Sequence, residues 1–90
     1  MSIHVEFYGV ARQRAGTATV VLPVEGSVVL GHLLAQLAAK FPHWATECLE
    51  GDRLRPSYIA NVDGRRFVRD PQEALDDETS LLIMSADAGG

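Results

Sequence analysis

Apolar and polar positions alternate from Ile3 to Phe7, with Ile3, Val5 and Phe7 on one side and His4, Glu6 and Tyr8 on the other, which is the period of a half-buried strand. Charge and glycine between Arg12 and Gly16 interrupt it. Ala18, Val20 and Leu22 then alternate with Thr19 and Val21 until Pro23 stops the run, so the two stretches read as a hairpin. A helical period follows. Leu30, Leu33, Leu34, Leu37 and Phe41 recur three and four residues apart, Ser27 stands where a hydroxyl caps a first turn, and Pro42 marks the end. Gly31 inside this stretch points either to a close helix-sheet approach or to mere tolerance, since glycine weakens a helix by roughly 0.5–1 kcal/mol relative to alanine.

Beyond Pro42, His43 to Glu50 is a candidate short helix and Gly51 to Pro56 a surface loop carrying Asp52, Arg53 and Arg55. Tyr58, Ala60 and Val62 alternate with Ile59 and Asn61, and Asp63-Gly64 is a hairpin turn because both residues tolerate positive φ, which makes Arg66 to Val68 the returning strand. After a turn at Pro71, Leu81 to Met84 is apolar without interruption, as in a central strand packed on both faces. The pattern predicts an α+β domain: a mixed sheet of four to five strands on one main helix, spanning 1–84, followed by a slim, flexible tail, 85–90. One helix covers one face. If Leu81 and Ile83 point to it, Leu82 and Met84 point outward beside Ile59 and leave an apolar patch just before the tail.

Length and charge narrow the function. Ninety residues, 47% of them hydrophobic, make one globular domain, and a formal net charge of −4 argues against nucleic acid, whose phosphates need a basic surface. No apolar stretch is long enough to span a bilayer and the start has no secretory pattern, so the expected setting is cytoplasmic, without a membrane partner. Cys48 is the only cysteine, which rules out an internal disulfide and fits a small buried side chain better than a reactive thiol. His4, His32 and His43 lack a metal-ligand spacing, and Asp76, Asp77 and Glu78 fit a solvated turn better than a cation site, so no metal and no bound cofactor is expected.

The last residues carry the strongest chemical signal. With glycine at about 7% of average sequences, a Gly89-Gly90 end arises by chance roughly once in two hundred chains. Without β-carbons, Gly89 and Gly90 can thread a narrow channel behind the small Ala88 and deliver a carboxylate to a buried active site. A flexible end without function is the plain alternative. Ordering four or five such residues costs on the order of 4–10 kcal/mol, so the folded body has to contribute docking energy, and Ile59, Leu82 and Met84 are the residues to do it.

These residues together resemble the ubiquitin-like sulfur carriers of the ThiS/MoaD family. The resemblance rests on Phe7-Tyr8-Gly9-Val10-Ala11-Arg12-Gln13 with Gly16 following, on Val62-Asp63-Gly64, on Leu75-Asp76-Asp77-Glu78 and on the final Ala88-Gly89-Gly90, in that order over the whole chain. It implies the β-grasp fold and a carrier without catalytic side chains, whose Gly90 is adenylated with ATP by an adenylyltransferase like the ubiquitin-activating enzymes. The product is converted to a thiocarboxylate that passes sulfur to a synthase subunit or biosynthetic enzyme. The stretch from His43 to Pro56 brings the chain nearest the small subunit of molybdopterin synthase. Ser85, Ala86 and Asp87 replace the prolines and apolar residue common in such tails, which brings in carriers for cysteine, thiamin or a secondary metabolite as competitors. Two other classes stand beside these: a ubiquitin-like interaction module whose tail is never activated, and a protein modifier that is joined to lysines.

Overall fold

The computed structural model of the chain describes residues 1–89. Strand β1 (Ser2–Phe7) is followed by helix α1 (Val10–Ala15), β2 (Thr19–Pro23), the short β3 (Val28–Val29), α2 (Leu30–Lys40) and α3 (Pro42–Cys48). Then come β4 (Leu49–Glu50), β5 (Arg53–Leu54), β6 (Tyr58–Val62), β7 (Arg66–Val68), β8 (Ala74–Leu75), β9 (Ser80–Ser85) and α4 (Ala86–Gly89). Five strands form one mixed sheet in the order β2-β1-β9-β6-β7. β1 and β9 lie parallel at its centre, while β2 and β6 flank them antiparallel.

Alternation along the strands decides what is buried. Ile3, Val5 and Phe7 of β1, Ala60 and Val62 of β6, and Leu81 and Ile83 of β9 point into one core with Leu30, Leu33, Leu34 and Leu37 of α2. Each fully buried leucine contributes about 1.5–3 kcal/mol of transfer free energy, so the α2 stripe holds the helix on the sheet. Phe7 meets both Phe41 and Trp44 edge to face with ring centroids 5.5 Å apart, which seats α3 on the same core. The short second helix is therefore real, and it begins with Pro42 in its first turn, where no amide is missed.

Other local expectations change. β1 and β2 do pair antiparallel, with Ile3 opposite Leu22 and Val5 opposite Val20, but the connection between them is the helix α1. The expected surface loop from Gly51 to Pro56 contains half of a miniature hairpin, in which Leu49 faces Leu54 and Glu50 faces Arg53. Ser27 does not cap α2; Val29 holds the cap position without a side-chain bond. Instead the amide of Leu30 donates to the Glu73 carbonyl and that of Gly31 to the Pro71 carbonyl, both at 2.8 Å. The free amides of the first turn are satisfied across space by the segment before β8, which also pairs with β3.

The turn at Asp63-Gly64 forms as the sequence dictates, with φ of 55° and 70° at its two residues. Its aspartate also ties the turn to the central strand. The Ser80 amide donates to Asp63 Oδ1 and the Asp63 amide to the Ser80 carbonyl, each at 2.8 Å. The acidic run before β9 is likewise a turn, and its Glu78 amide donates to the Ser2 carbonyl at 2.7 Å.

Candidate functional site

The sheet has a second face, and its residues follow from the register. Met84 pairs with Ile59; Leu82 lies between Glu6 of β1 and Asn61 of β6; Asn61 in turn faces Phe67 on β7. Leu81 and Ile83 point into the core, so Leu82 and Met84 turn outward, half-buried beside the half-buried Ile59. Phe67 is 49% exposed, and Tyr8, which follows β1, is 57% exposed. The outer face thus carries an apolar strip crossed by a few polar groups, among them His4, Glu6 and Asn61.

The tail leaves from one end of this strip. The Tyr8 amide donates to the Ile83 carbonyl at 2.9 Å, continuing the parallel ladder to the end of β1, and the Ala86 amide donates to the Ser57 carbonyl at 2.8 Å. These bonds fix the direction in which the chain departs after Ser85. Ala88 and Gly89 lie in α4, and Gly90 lies outside the described residues. Ile59 and Met84 are therefore the apolar residues nearest the root of the tail, while Leu82 lies farther along the strip.

A groove of about 400 Å³ opens on the same face toward the start of β9, lined among others by His4, Glu6, Thr19, Asn61, Ser80 and Leu82. Asn61 is buried to 9% exposure, and its Oδ1 finds no hydrogen-bond partner among the described residues. A buried amide oxygen in that condition costs about 1–3 kcal/mol. Sequence reading placed Glu6 and Asn61 on strand faces but gave neither a role. The available signal was the polar pair that register sets on either side of an apolar residue of the last strand.

Elsewhere the chemistry is quiet. Cys48 is fully buried and hydrogen-bonded to the side chain of Tyr58. Burial pushes the Cys48 thiol up, outweighing that bond, and burial together with the same bond pushes the Tyr58 hydroxyl up, so both stay protonated at neutral pH. The thiol is a packing group and not a nucleophile. His4, His32 and His43 are all exposed, on β1, α2 and α3, and no group of three His, Cys, Asp or Glu side chains among the described residues could hold a metal ion. No helix among the described residues is long and apolar enough to cross a membrane.

A mixed sheet with parallel central strands, wrapped on one face around a helix and ending its last central strand in a short tail, is the β-grasp, the fold of ubiquitin. Solved structures share this architecture. No protein-family model and no curated relative matches the sequence. Among solved structures, SAMP1 from Haloferax volcanii is 21% identical and superposes with a TM-score of 0.83 over 100% of both chains. A second crystal structure, of the small archaeal modifier protein 1 of the same organism, is 19% identical at a TM-score of 0.77 over 92% of this chain and 94% of that one. The putative molybdopterin converting factor subunit 1 of Pyrococcus furiosus is 17% identical at 0.69 over 94% of each chain. Likeness at such identities establishes the fold.

Proposed function

We propose that this chain is a ubiquitin-like protein modifier whose Gly90 carboxylate is activated and joined to lysines of other proteins. The observation that carries this reading is the union of a β-grasp body with a Gly89-Gly90 end that leaves its central strand beside an exposed apolar strip. A carboxylate is a poor electrophile. In an activating enzyme its oxygen attacks the α-phosphorus of ATP and releases pyrophosphate; the resulting acyl-adenylate is attacked by an amine, an amide bond forms and AMP departs. The chain's own part is to dock through Ile59, Leu82 and Met84 and to present Ala88, Gly89 and Gly90 without side chains that block a narrow channel. The name of the Haloferax volcanii neighbour, a modifier protein, supports the modifier reading.

A second reading uses the same adenylate. Attack by sulfur converts Gly90 to a thiocarboxylate, and the chain then serves as a sulfur carrier, for molybdopterin synthesis or for cysteine, thiamin or a secondary metabolite. The Pyrococcus furiosus neighbour, by its name a molybdopterin converting factor subunit, favours it. Mass spectrometry separates the two. The modifier reading expects branched peptides from cells in which Gly90 is linked to a lysine amine; the carrier reading expects intact protein in which one oxygen of the C-terminal peptide is replaced by sulfur. Neither product, with an activating enzyme that works on another carrier, would leave an interaction module with an unreacted tail.

A further inference from the structure

Glu6 is the single acidic residue within the five strands of the main sheet among the described residues, and it stands on the outer face, exposed, beside Leu82. Asn61 flanks Leu82 on the other side with an amide oxygen that lacks a hydrogen-bond partner among the described residues. Both line the same groove. Any partner that covers Leu82 must also cover Glu6, and an ionised carboxylate removed from water without a counter-charge costs more than the neighbouring apolar contacts return. The docked partner has to bring a cation to this point. Adjacent strands lie about 4.8 Å apart, so Glu6 and Asn61 are roughly 10 Å apart across β9 at the backbone, with their side chains rising from either edge of Leu82. A single ammonium reaches one of the two. A planar guanidinium, with donors on several edges and a stem that packs on an apolar side chain, reaches both.

We propose that the partner's docking surface carries an arginine that lies over Leu82, its guanidinium held between the Glu6 carboxylate and the Asn61 amide oxygen. The proposal rests on the reading that this face docks an activating enzyme. The Asn61 oxygen, buried in the free protein, turns toward the groove to accept from the guanidinium, while the main gain of the contact is the neutralisation of Glu6. The acidic balance of the protein, −4 at neutral pH, favours the same basic partner surface.

The test is steady-state adenylation, followed by ATP–pyrophosphate exchange, with full-length protein and the activating enzyme of the cell that makes it. Glu6→Gln should raise the KM for the carrier about tenfold and Glu6→Arg roughly a hundredfold, with kcat unchanged, because the contact acts in docking and not in the chemical step. Asn61→Leu should raise KM by a smaller factor, and salt should weaken the wild type more than Glu6→Gln. Thermal unfolding of the exposed Glu6 variants checks that the fold is intact. An enzyme that adenylates wild type and Glu6→Gln with the same KM overturns the arginine contact alone. Wild type that is never adenylated removes the reading beneath it.

Discussion

Gly31 shows how much one hydrogen atom in place of a methyl can decide. A β-carbon built there would stand 3.0 Å from the Pro71 Cβ, 3.2 Å from the Pro71 carbonyl oxygen and 3.3 Å from that of Asp52. The Pro71 carbonyl is also the acceptor for the Gly31 amide, so it cannot retreat without losing that bond. The glycine does mark a close approach, but what approaches is a pair of loops, at Pro71 and Asp52, and not the sheet that the helical pattern suggested. Gly31→Ala should therefore lower stability by about 1–2 kcal/mol in urea denaturation, because overpacking of about 1–3 kcal/mol exceeds the gain in helix propensity. Cys48 and Tyr58 give a second residue-scale prediction. Both acids hold their protons more tightly folded than unfolded, so their contribution is complete below the unfolded thiol pKa of about 8.5 and is lost as pH rises through the folded values. Stability should be flat between pH 7 and 8 from these groups and fall above roughly pH 9; Cys48→Ala should flatten part of that alkaline fall while lowering the plateau.

At the scale of elements, the Asp63-Gly64 turn does two jobs that a sequence pattern merges. It reverses the chain between β6 and β7, and Asp63 Oδ1 also accepts from the first amide of β9. Asp63→Ala removes the acceptor and leaves an ordinary side chain at positive φ, an expected loss of about 2 kcal/mol; Asp63→Asn retains both features and should stay within about 0.5 kcal/mol of wild type. Chemical denaturation of the two variants separates the roles. The alternation that located β1, β2 and β6 was legible because period 2 admits one inside and one outside, whereas β9 showed as an uninterrupted apolar run between turns. Helix α1 was not legible, since Arg12, Gln13 and Arg14 leave Ala11 as its single fully buried residue and give no helical stripe. Ser27 was misplaced for a related reason: the cap signal is local, whereas the amides it would serve had a better partner at Pro71 and Glu73, some forty residues on.

For the whole molecule, the proposed function assigns docking to the apolar strip and chemistry to the tail, and mutation separates the two. Ile59→Asp and Met84→Asp leave every core residue in place, so the midpoint of thermal unfolding should move by only a few degrees while the KM for activation rises tenfold or more, the scale of a lost interface contact. Deleting Gly90 should leave unfolding unchanged, since it lies beyond the last strand, and abolish every covalent product detected by mass spectrometry. A variant with normal unfolding and normal products after that deletion would take the chemistry away from the chain end.

The sequence by itself determined the five main strands and the α2 stripe, because side-chain period and turn chemistry are local, but it left the parity of β9 open, since an uninterrupted apolar run shows no inside and outside; the structure turned Leu82 and Met84 outward. It also contained the Gly89-Gly90 pair on which the proposed function rests. Tertiary structure alone decided which strand lies beside which. Setting β9 between β1 and β6 is what brings Glu6, Leu82 and Asn61 into one row, and the segment before β8, folded back on α2, closes the start of that helix with its carbonyls. Those relations join residues from 21 positions apart, as Asn61 and Leu82, to 76, as Glu6 and Leu82, and no local periodicity encodes a distance of that kind.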